Sequence, residues 1–144
     1  MKILTAIFLT IILAKGCGEA DKKDLENTVI EYTANTRGYF YKITIQNQMV
    51  TVSNDRKGND NPTPTKLSDS DWKEIITDFK AINLEEIPNL EAPTKYRFHD
   101  GAAMANIKIT YQEKVYESQT FDNGHPPEKI AKLVNKVNSF AKRE

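Results

Sequence analysis

The sequence predicts an α+β fold, with an antiparallel sheet of about five strands and two amphipathic helices packed on one face of the sheet. Apolar and polar residues alternate along several short segments, which is typical of half-buried strands. Two other segments repeat apolar residues at offsets of 0, 3, 4, 7 and 10, which places one apolar stripe along each helix. The predicted order along the chain is strand, strand, strand, helix, strand, strand, helix.

Three strands are predicted before the first helix. Residues 28–34 (TVIEYTA) are rich in β-branched residues and predict the first strand. Residues 39–46 alternate in hydrophobicity and predict the second strand, and residues 49–53 (MVTVS) return beside it after a turn. The next segment, 54–66, lacks aliphatic and aromatic residues and contains one glycine and two prolines. It therefore predicts a solvated loop.

The first helix is predicted over residues 69–82. Ser68 is its expected N-cap, and Asp71 lies in the first turn, where an acidic side chain suits the helix dipole. The apolar stripe of this helix consists of Trp72, Ile75, Ile76, Phe79 and Ile82.

The second half of the chain repeats the order of hairpin and helix. Residues 104–111 (MANIKITY) and 115–121 (VYESQTF) alternate in hydrophobicity and predict two paired strands. The last helix is expected to start at Pro126 and Pro127, because proline is tolerated at the first helical position. Its apolar stripe consists of Ile130, Leu133, Val134, Val137 and Phe140.

The N-terminal residues 1–16 predict a signal peptide of the lipoprotein type. Lys2 supplies a positive start, residues 3–13 are apolar apart from two threonines, and small residues precede Cys17. The apolar run is shorter than the roughly 20 residues that a transmembrane helix needs. Cys17 is the only cysteine and has no disulfide partner in the chain. A cut before it resembles the lipobox of bacterial lipoproteins.

The lipobox resemblance implies a diacylglyceryl group on the sulfur of Cys17 and an acyl chain on its new amino terminus. More than one chain gives stable anchoring, so we expect the membrane as a partner through this anchor. The residue directly after Cys17 is not aspartate, which resembles lipoproteins passed on to the outer membrane, where the protein would face the periplasm or the cell surface. Residues 17–26 are then the acylated cysteine and a flexible tether, and residues 27–144 form a single α+β domain.

Composition argues against several classes of function. Without residues 1–16 the chain carries 18 basic and 20 acidic residues, a net charge of −2. Nucleic-acid binding needs a basic face, so we expect no nucleic-acid partner. The sequence has no G-x-S-x-G motif and no glycine-rich phosphate loop. We therefore expect a protein that is not an enzyme and carries no cofactor.

Three segments together resemble an uncharacterised family of small bacterial envelope lipoprotein domains. They are YKITIQNQMVTVS (41–53), LSDSDWKEIITDFKAIN (67–83) and ITYQEKVYESQTFDNGHPPEKIAKLVNKVNSF (109–140). They are similar to that family in the alternating strand pair, the acidic start of the first helix, and the aromatic–Asp–x–Gly turn before a proline-led closing helix. The resemblance implies the fold and an envelope location, and it implies no catalytic residue.

Aromatic residues supply the leading candidate for a binding site. Phe40, Tyr116 and Phe98 are the candidates for the open face of the sheet, away from the helices, and packing in a small core is the competing interpretation of the same residues. Exposed aromatic side chains are favoured at interfaces. We therefore predict that this face binds a protein, a glycan or another envelope component.

A second candidate is a small-ligand or divalent-metal site at one corner of the predicted sheet. His99 and Asp100 precede the second hairpin, and Asp122 and His125 follow it. Pairing that continues to the open end of the hairpin would bring all four residues together. Imidazole and carboxylate groups form a plausible ligand set for a divalent metal. Ordinary turn residues are the competing interpretation of the same positions.

Overall fold

The structure is a computed structural model that describes residues 25–142. The predicted signal peptide (1–16), Cys17 and most of the predicted tether (17–26) lie outside the described residues. Within them the chain forms one antiparallel sheet with helices on one face, which confirms the predicted α+β class.

The sheet contains seven strands, more than the sequence predicts, and all pairs are antiparallel. The strands are β1 (Val29–Asn35), β2 (Phe40–Gln46), β3 (Met49–Ser53), β4 (Thr65–Lys66), β5 (Met104–Tyr111), β6 (Lys114–Glu117) and β7 (Phe121–Asp122). The spatial order is β4-β3-β2-β1-β5-β6, and β7 also pairs with β5. β1 is therefore a central strand, flanked by β2 and β5.

The two additional strands arise from local hydrogen bonds. The predicted strand 115–121 splits into β6 and β7 because the Ile107 N–H donates to the hydroxyl of Ser118, at 3.1 Å, which interrupts the ladder. β4 forms inside the predicted loop 54–66 because Leu67, which is buried, is held at the β2–β3 turn. The Leu67 N–H donates to the carbonyl of Gln48 at 2.8 Å, and the Gln48 side chain donates back to the Leu67 carbonyl at 2.9 Å.

The first helix begins where the sequence predicts, but the last α-helix begins at Ala131 and not at Pro126 and Pro127 as predicted, because a 3-10 turn comes first. Helix α1 spans Asp69–Lys80, and the hydroxyl of Ser68 accepts the Asp71 N–H at 3.0 Å as its N-cap. Helix α2 spans Ala131–Ser139 and is preceded by a 3-10 turn after Pro127. Short 3-10 helices cover Leu84–Asn89, Tyr96–His99, Glu128–Ile130 and Phe140–Lys142. No helix in the range 25–142 is long and apolar enough to cross a membrane.

The hydrophobic core lies between the sheet and the two helices. The sheet contributes alternate residues of its three central strands, and the helices contribute their apolar stripes. Phe79 of α1 packs against Tyr111 of β5, with ring centroids 5.5 Å apart. The buried residues of these elements include Ile30, Tyr32, Ala34, Ile43, Ile45, Ala105, Ile107, Ile109, Trp72, Ile75, Phe79, Leu133, Val134 and Val137.

The opposite, open face of the sheet is polar at its centre. Glu31 of β1 lies between Lys42 of β2 and Lys108 of β5, with carboxylate–ammonium distances of 2.7 and 3.0 Å. Burial alone would raise the pKa of the Glu31 carboxyl, but hydrogen bonds from the two lysines lower it below its ordinary value. This triad links the three central strands on the side that the helices do not cover.

Replacing Glu31 with glutamine should lower the free energy of unfolding by about 1 kcal/mol, because it leaves two lysines facing each other without a counter-charge. Urea denaturation at low salt measures the effect. The difference from wild type should shrink in concentrated salt, which screens partly exposed charges. Glu91→Gln removes an exposed carboxylate elsewhere and serves as the control. Equal stability of Glu31→Gln and wild type at low salt would contradict this account of the triad.

Candidate functional site

The candidate site lies at the end of the open face where three strands meet. Asn35 ends β1, and it is in register with Phe40, which begins β2, and with Met104, which begins β5. Paired residues of an antiparallel sheet share a face, and Asn35 has the same orientation as Glu31, four residues earlier. The side chains of Asn35, Phe40 and Met104 are therefore neighbours on the open face.

An open cleft of about 530 Å³ lies beside these strand ends, and we call it the arginine cleft. It is lined by Asn35, Thr36, Arg37, Gly38, Arg56, Arg97, Asp100, Ala102 and Met104. Three arginines face one aspartate in this lining, so the charge of the cleft favours an anion. Every arginine in the part of the chain that the structure describes lies here.

Two of the three arginines are fixed by their neighbours. The Arg56 guanidinium donates to the carbonyl of Thr36 and lies 6.0 Å from the ring centroid of Phe40. Arg97 donates to the carbonyl of Thr94 at 2.8 Å and lies 4.4 Å from the ring centroid of Phe98. Holding the guanidinium groups in place reduces the side-chain entropy that a bound ligand would have to overcome.

The carboxylate of Asp122 holds the segment that carries Arg97. Asp122 is fully buried and accepts hydrogen bonds from the Thr94 hydroxyl, the Tyr96 N–H at 2.7 Å, the Arg97 N–H at 2.9 Å and the Arg97 guanidinium at 3.2 Å. Burial alone would raise the pKa of this carboxyl, but the four hydrogen bonds lower it to about 2. One buried charge therefore positions one wall of the cleft.

A network of tyrosines and asparagines supports the turn that follows Asp122. The hydroxyl of Tyr32 donates to the side-chain oxygen of Asn123 at 2.5 Å. The hydroxyl of Tyr41 donates to the side-chain oxygen of Asn138 at 2.7 Å. The Asn138 amide also lies within hydrogen-bonding distance of Asn123, at 3.3 Å. Burial raises the pKa of both phenols, so they stay protonated as donors. The network joins β1 and β2 to the turn and to α2.

The predicted metal corner is wrong in its geometry. Asp122 is committed to the hydrogen bonds from Thr94, Tyr96 and Arg97, so its carboxylate is not free to bind a metal. His125 packs edge-on against Tyr96, with ring centroids 5.2 Å apart, and His99 and Asp100 are exposed at the end of a 3-10 helix. Residues 25–142 contain no group of three or more histidine, cysteine or acidic side chains that could hold a metal ion.

The three aromatic residues predicted to bind a partner lie in different places. Phe40 lies on the open face, as predicted. The placement of Tyr116 is wrong, because Tyr116 pairs with the buried Ile109 and so points into the core, where it is only 9 % exposed. Phe98 is not on the sheet: it lies on the 3-10 helix beside the cleft and is 65 % exposed. Two of the three aromatics therefore border the arginine cleft.

The sequence interpretation missed the three arginines. Arg37, Arg56 and Arg97 come from three different loops, and no motif spacing connects them. The signal that was present is positional. Arg37 lies in the β1–β2 turn, and Arg97 lies shortly before β5, which pairs with β1. Strand pairing alone thus brings two of the three to the same end of the sheet.

Comparison with known proteins adds no family to this site. No protein-family model matches the chain, and no curated protein is similar to it in sequence. The resemblance of 41–53, 67–83 and 109–140 to envelope lipoprotein domains stays a prediction. The chemistry of the cleft itself therefore carries the functional interpretation.

Replacing Asp122 with asparagine should lower the free energy of unfolding by about 2 kcal/mol at neutral pH, because an amide cannot accept all the hydrogen bonds that the carboxylate accepts. The folded-state pKa of about 2 is below the ordinary value of 3.8, so the stabilisation is fully present above about pH 4 and is lost as the pH falls toward 2. Urea denaturation as a function of pH measures both effects.

The control for this prediction is Asp100→Asn, since Asp100 is exposed and has a positive φ of 56° that asparagine tolerates. Asp122→Asn should flatten the pH dependence of stability between pH 4 and 2, and Asp100→Asn should leave it close to wild type. The same slope in all three proteins would show that Asp122 is not the group that couples folding to protonation.

Proposed function

We propose that the chain is a non-enzymatic, lipid-anchored protein of the bacterial cell envelope that binds a protein or another envelope component at the end of its open sheet face. The observation that carries this proposal is the concentration of arginine and exposed apolar side chains around the arginine cleft. Aromatic residues, methionine and arginine are the residue types enriched at protein interfaces. The proposal extends the sequence prediction from the open face to one end of it.

The distribution of exposed apolar residues supports this location. Tyr39, Tyr96, Phe98 and Met104 are 47, 51, 65 and 48 % exposed, and all four lie in segments at the cleft end of the sheet. Val115, which is 56 % exposed, lies on the β5–β6 hairpin at the other end. Single exposed apolar residues are ordinary, but a group of them beside arginines is typical of a binding surface.

The position of the domain's first residues supports an anchored arrangement. Leu25 lies four residues before the first residue of β1, and β1 then runs for seven residues to the cleft. At about 3.3 Å per residue, this strand separates the two ends of the sheet by roughly 20 Å. A tether from an acyl anchor on Cys17 would therefore enter the sheet at the end opposite the cleft.

The chemistry of the site supports binding rather than catalysis. The oxygens of Asp122 are occupied by hydrogen bonds, so this carboxylate does not have the free geometry of a general base. Binding of a free small molecule is the second candidate, since 530 Å³ lies within the usual size of ligand pockets. The exposed walls of the cleft would leave a small molecule largely in water, which favours a larger partner.

Site-specific photo-crosslinking in intact cells tests the proposal. A photoreactive phenylalanine analogue replaces Phe98 or Met104 in the full chain, and Val115 serves as the matched exposed position at the opposite end. We expect a discrete adduct, identified by mass spectrometry, from the first two positions and not from Val115. A Cys17→Ala chain should lose this adduct if the anchor brings the two partners together. Identical adducts from both ends, or none from Phe98 and Met104, would contradict the proposal.

A further inference from the structure

We propose that the arginine cleft binds the carboxylate side chains of an acidic, partly apolar segment of a partner protein. This inference rests on the proposed function and names the chemistry of the partner. Three features support it: the positive charge of the cleft, the internal hydrogen bonds of the nearby carboxylates, and the apolar rim.

The ion pairs of the described chain leave part of the positive charge of the cleft uncompensated. Several lysines on the sheet and helices are paired with carboxylates, namely Lys42 and Lys108 with Glu31, Lys114 with Glu85, Lys129 with Glu86, and Lys136 with Asp71 and Glu74. Within residues 25–142, Arg37 and Arg56 have no carboxylate within ion-pair distance, and only Arg97 is paired. Two unneutralised guanidinium groups therefore remain at one cleft.

The acidic residues closest in sequence to Arg56 are engaged by their own loop. Asp55 accepts the backbone N–H groups of Lys57 and Asn59, both at 2.9 Å. Asp60 accepts the Ser53 hydroxyl at 2.6 Å and the Asn54 N–H at 3.0 Å. These carboxylates shape the loop, and neither of them lines the cleft. A carboxylate from outside the chain would meet Arg37 and Arg56 without displacing an internal ion pair.

Arginine rather than lysine at every basic position of the cleft points to a planar anion. A guanidinium carries five N–H donors in a fixed fork that matches a carboxylate or a phosphate in a bidentate manner. Arg56 donates a hydrogen bond to the carbonyl of Thr36, and most of its other N–H donors stay available. The rings of Phe40 and Phe98 lie 6.0 and 4.4 Å from the guanidinium groups of Arg56 and Arg97, at cation–π distance.

Two features favour a carboxylate over a phosphate. Asp100 lines the cleft, and its negative charge opposes a phosphate group, which carries about −1.5 to −2 at neutral pH, more than a single carboxylate. The charge of Arg97 is also balanced in part by Asp122. The apolar rim formed by Met104 and Phe98, together with Ala102 in the cleft, suits aliphatic residues beside the acidic ones.

The test uses the full chain in detergent and two fluorescent peptides of the same length. One peptide repeats glutamate, serine and leucine, and the other has glutamine in place of glutamate. Fluorescence anisotropy should show at least about tenfold tighter binding of the glutamate peptide, weakening as salt screens the charges. Arg37→Ala and Arg56→Ala should each weaken binding about tenfold. Lys73→Ala removes one positive charge from the exposed surface of α1 and should not change it.

Four results would overturn the inference. Equal binding of the two peptides, or unchanged binding by both arginine variants, would remove the role of the carboxylates. Inorganic phosphate that displaces the peptide at lower concentration than acetate would make the site a phosphate site. Arginine-dependent binding to phosphatidylglycerol vesicles that exceeds peptide binding would make the partner a membrane surface. Circular dichroism of each variant checks that it is folded.

The crosslinking experiment separates this inference from the proposed function. An adduct at Phe98 and Met104 that is lost in Arg37→Ala and Arg56→Ala, and kept in Lys73→Ala, would support both. An adduct that persists unchanged in both arginine variants would leave the proposed function standing and overturn the carboxylate recognition. Absence of the adduct from the wild-type chain would instead contradict the proposed function.

Discussion

The buried carboxylate of Asp122 is the interaction on which the candidate site depends. It lies on β7, and the hydrogen bonds that it accepts come from residues 94–97, which include the start of the 3-10 helix before β5. A buried charge is costly unless its hydrogen bonds are complete, so the backbone of this segment has little freedom to move away. Arg97 and Phe98 take their places in the cleft because the carboxylate fixes the turn from which they project.

The two faces of the sheet differ in chemistry: one packs against the helices and the other is exposed and polar at its centre. On one face, the alternation of β1 and β5 supplies a continuous apolar surface to both helices, and this surface holds the fold without a disulfide. On the other face, the Glu31 triad satisfies the charges at the centre, which leaves no apolar patch there. Four of the five large, exposed apolar residues and the unpaired arginines of the described chain lie at the cleft end of the sheet, where they do not compete with the core.

Local patterns predicted the elements well, and tertiary hydrogen bonds produced the differences. β3 and β5 have the bounds that alternation predicts, and α1 starts at its predicted cap. The split between β6 and β7 depends on the Ser118 hydroxyl replacing a backbone acceptor, and no periodicity signals that exchange. The burial of Tyr116 follows from the geometry of the β5–β6 turn. A two-residue turn at Gln112–Glu113, both with positive φ, sets Ile109 opposite Tyr116 and turns the tyrosine into the core.

The arginine cleft shows why a binding site can escape sequence analysis even when the fold does not. Its basic residues come from the β1–β2 turn, the long loop after β3 and the segment before β5, which are separated by tens of residues. Net charge gave no hint, because basic and acidic residues are equal in number over the whole chain. Only the antiparallel register, which places the end of β1 beside the starts of β2 and β5, brings these loops together. A near-neutral chain can thus carry a local excess of positive charge wherever strand ends converge and the nearby carboxylates are engaged by their own loops.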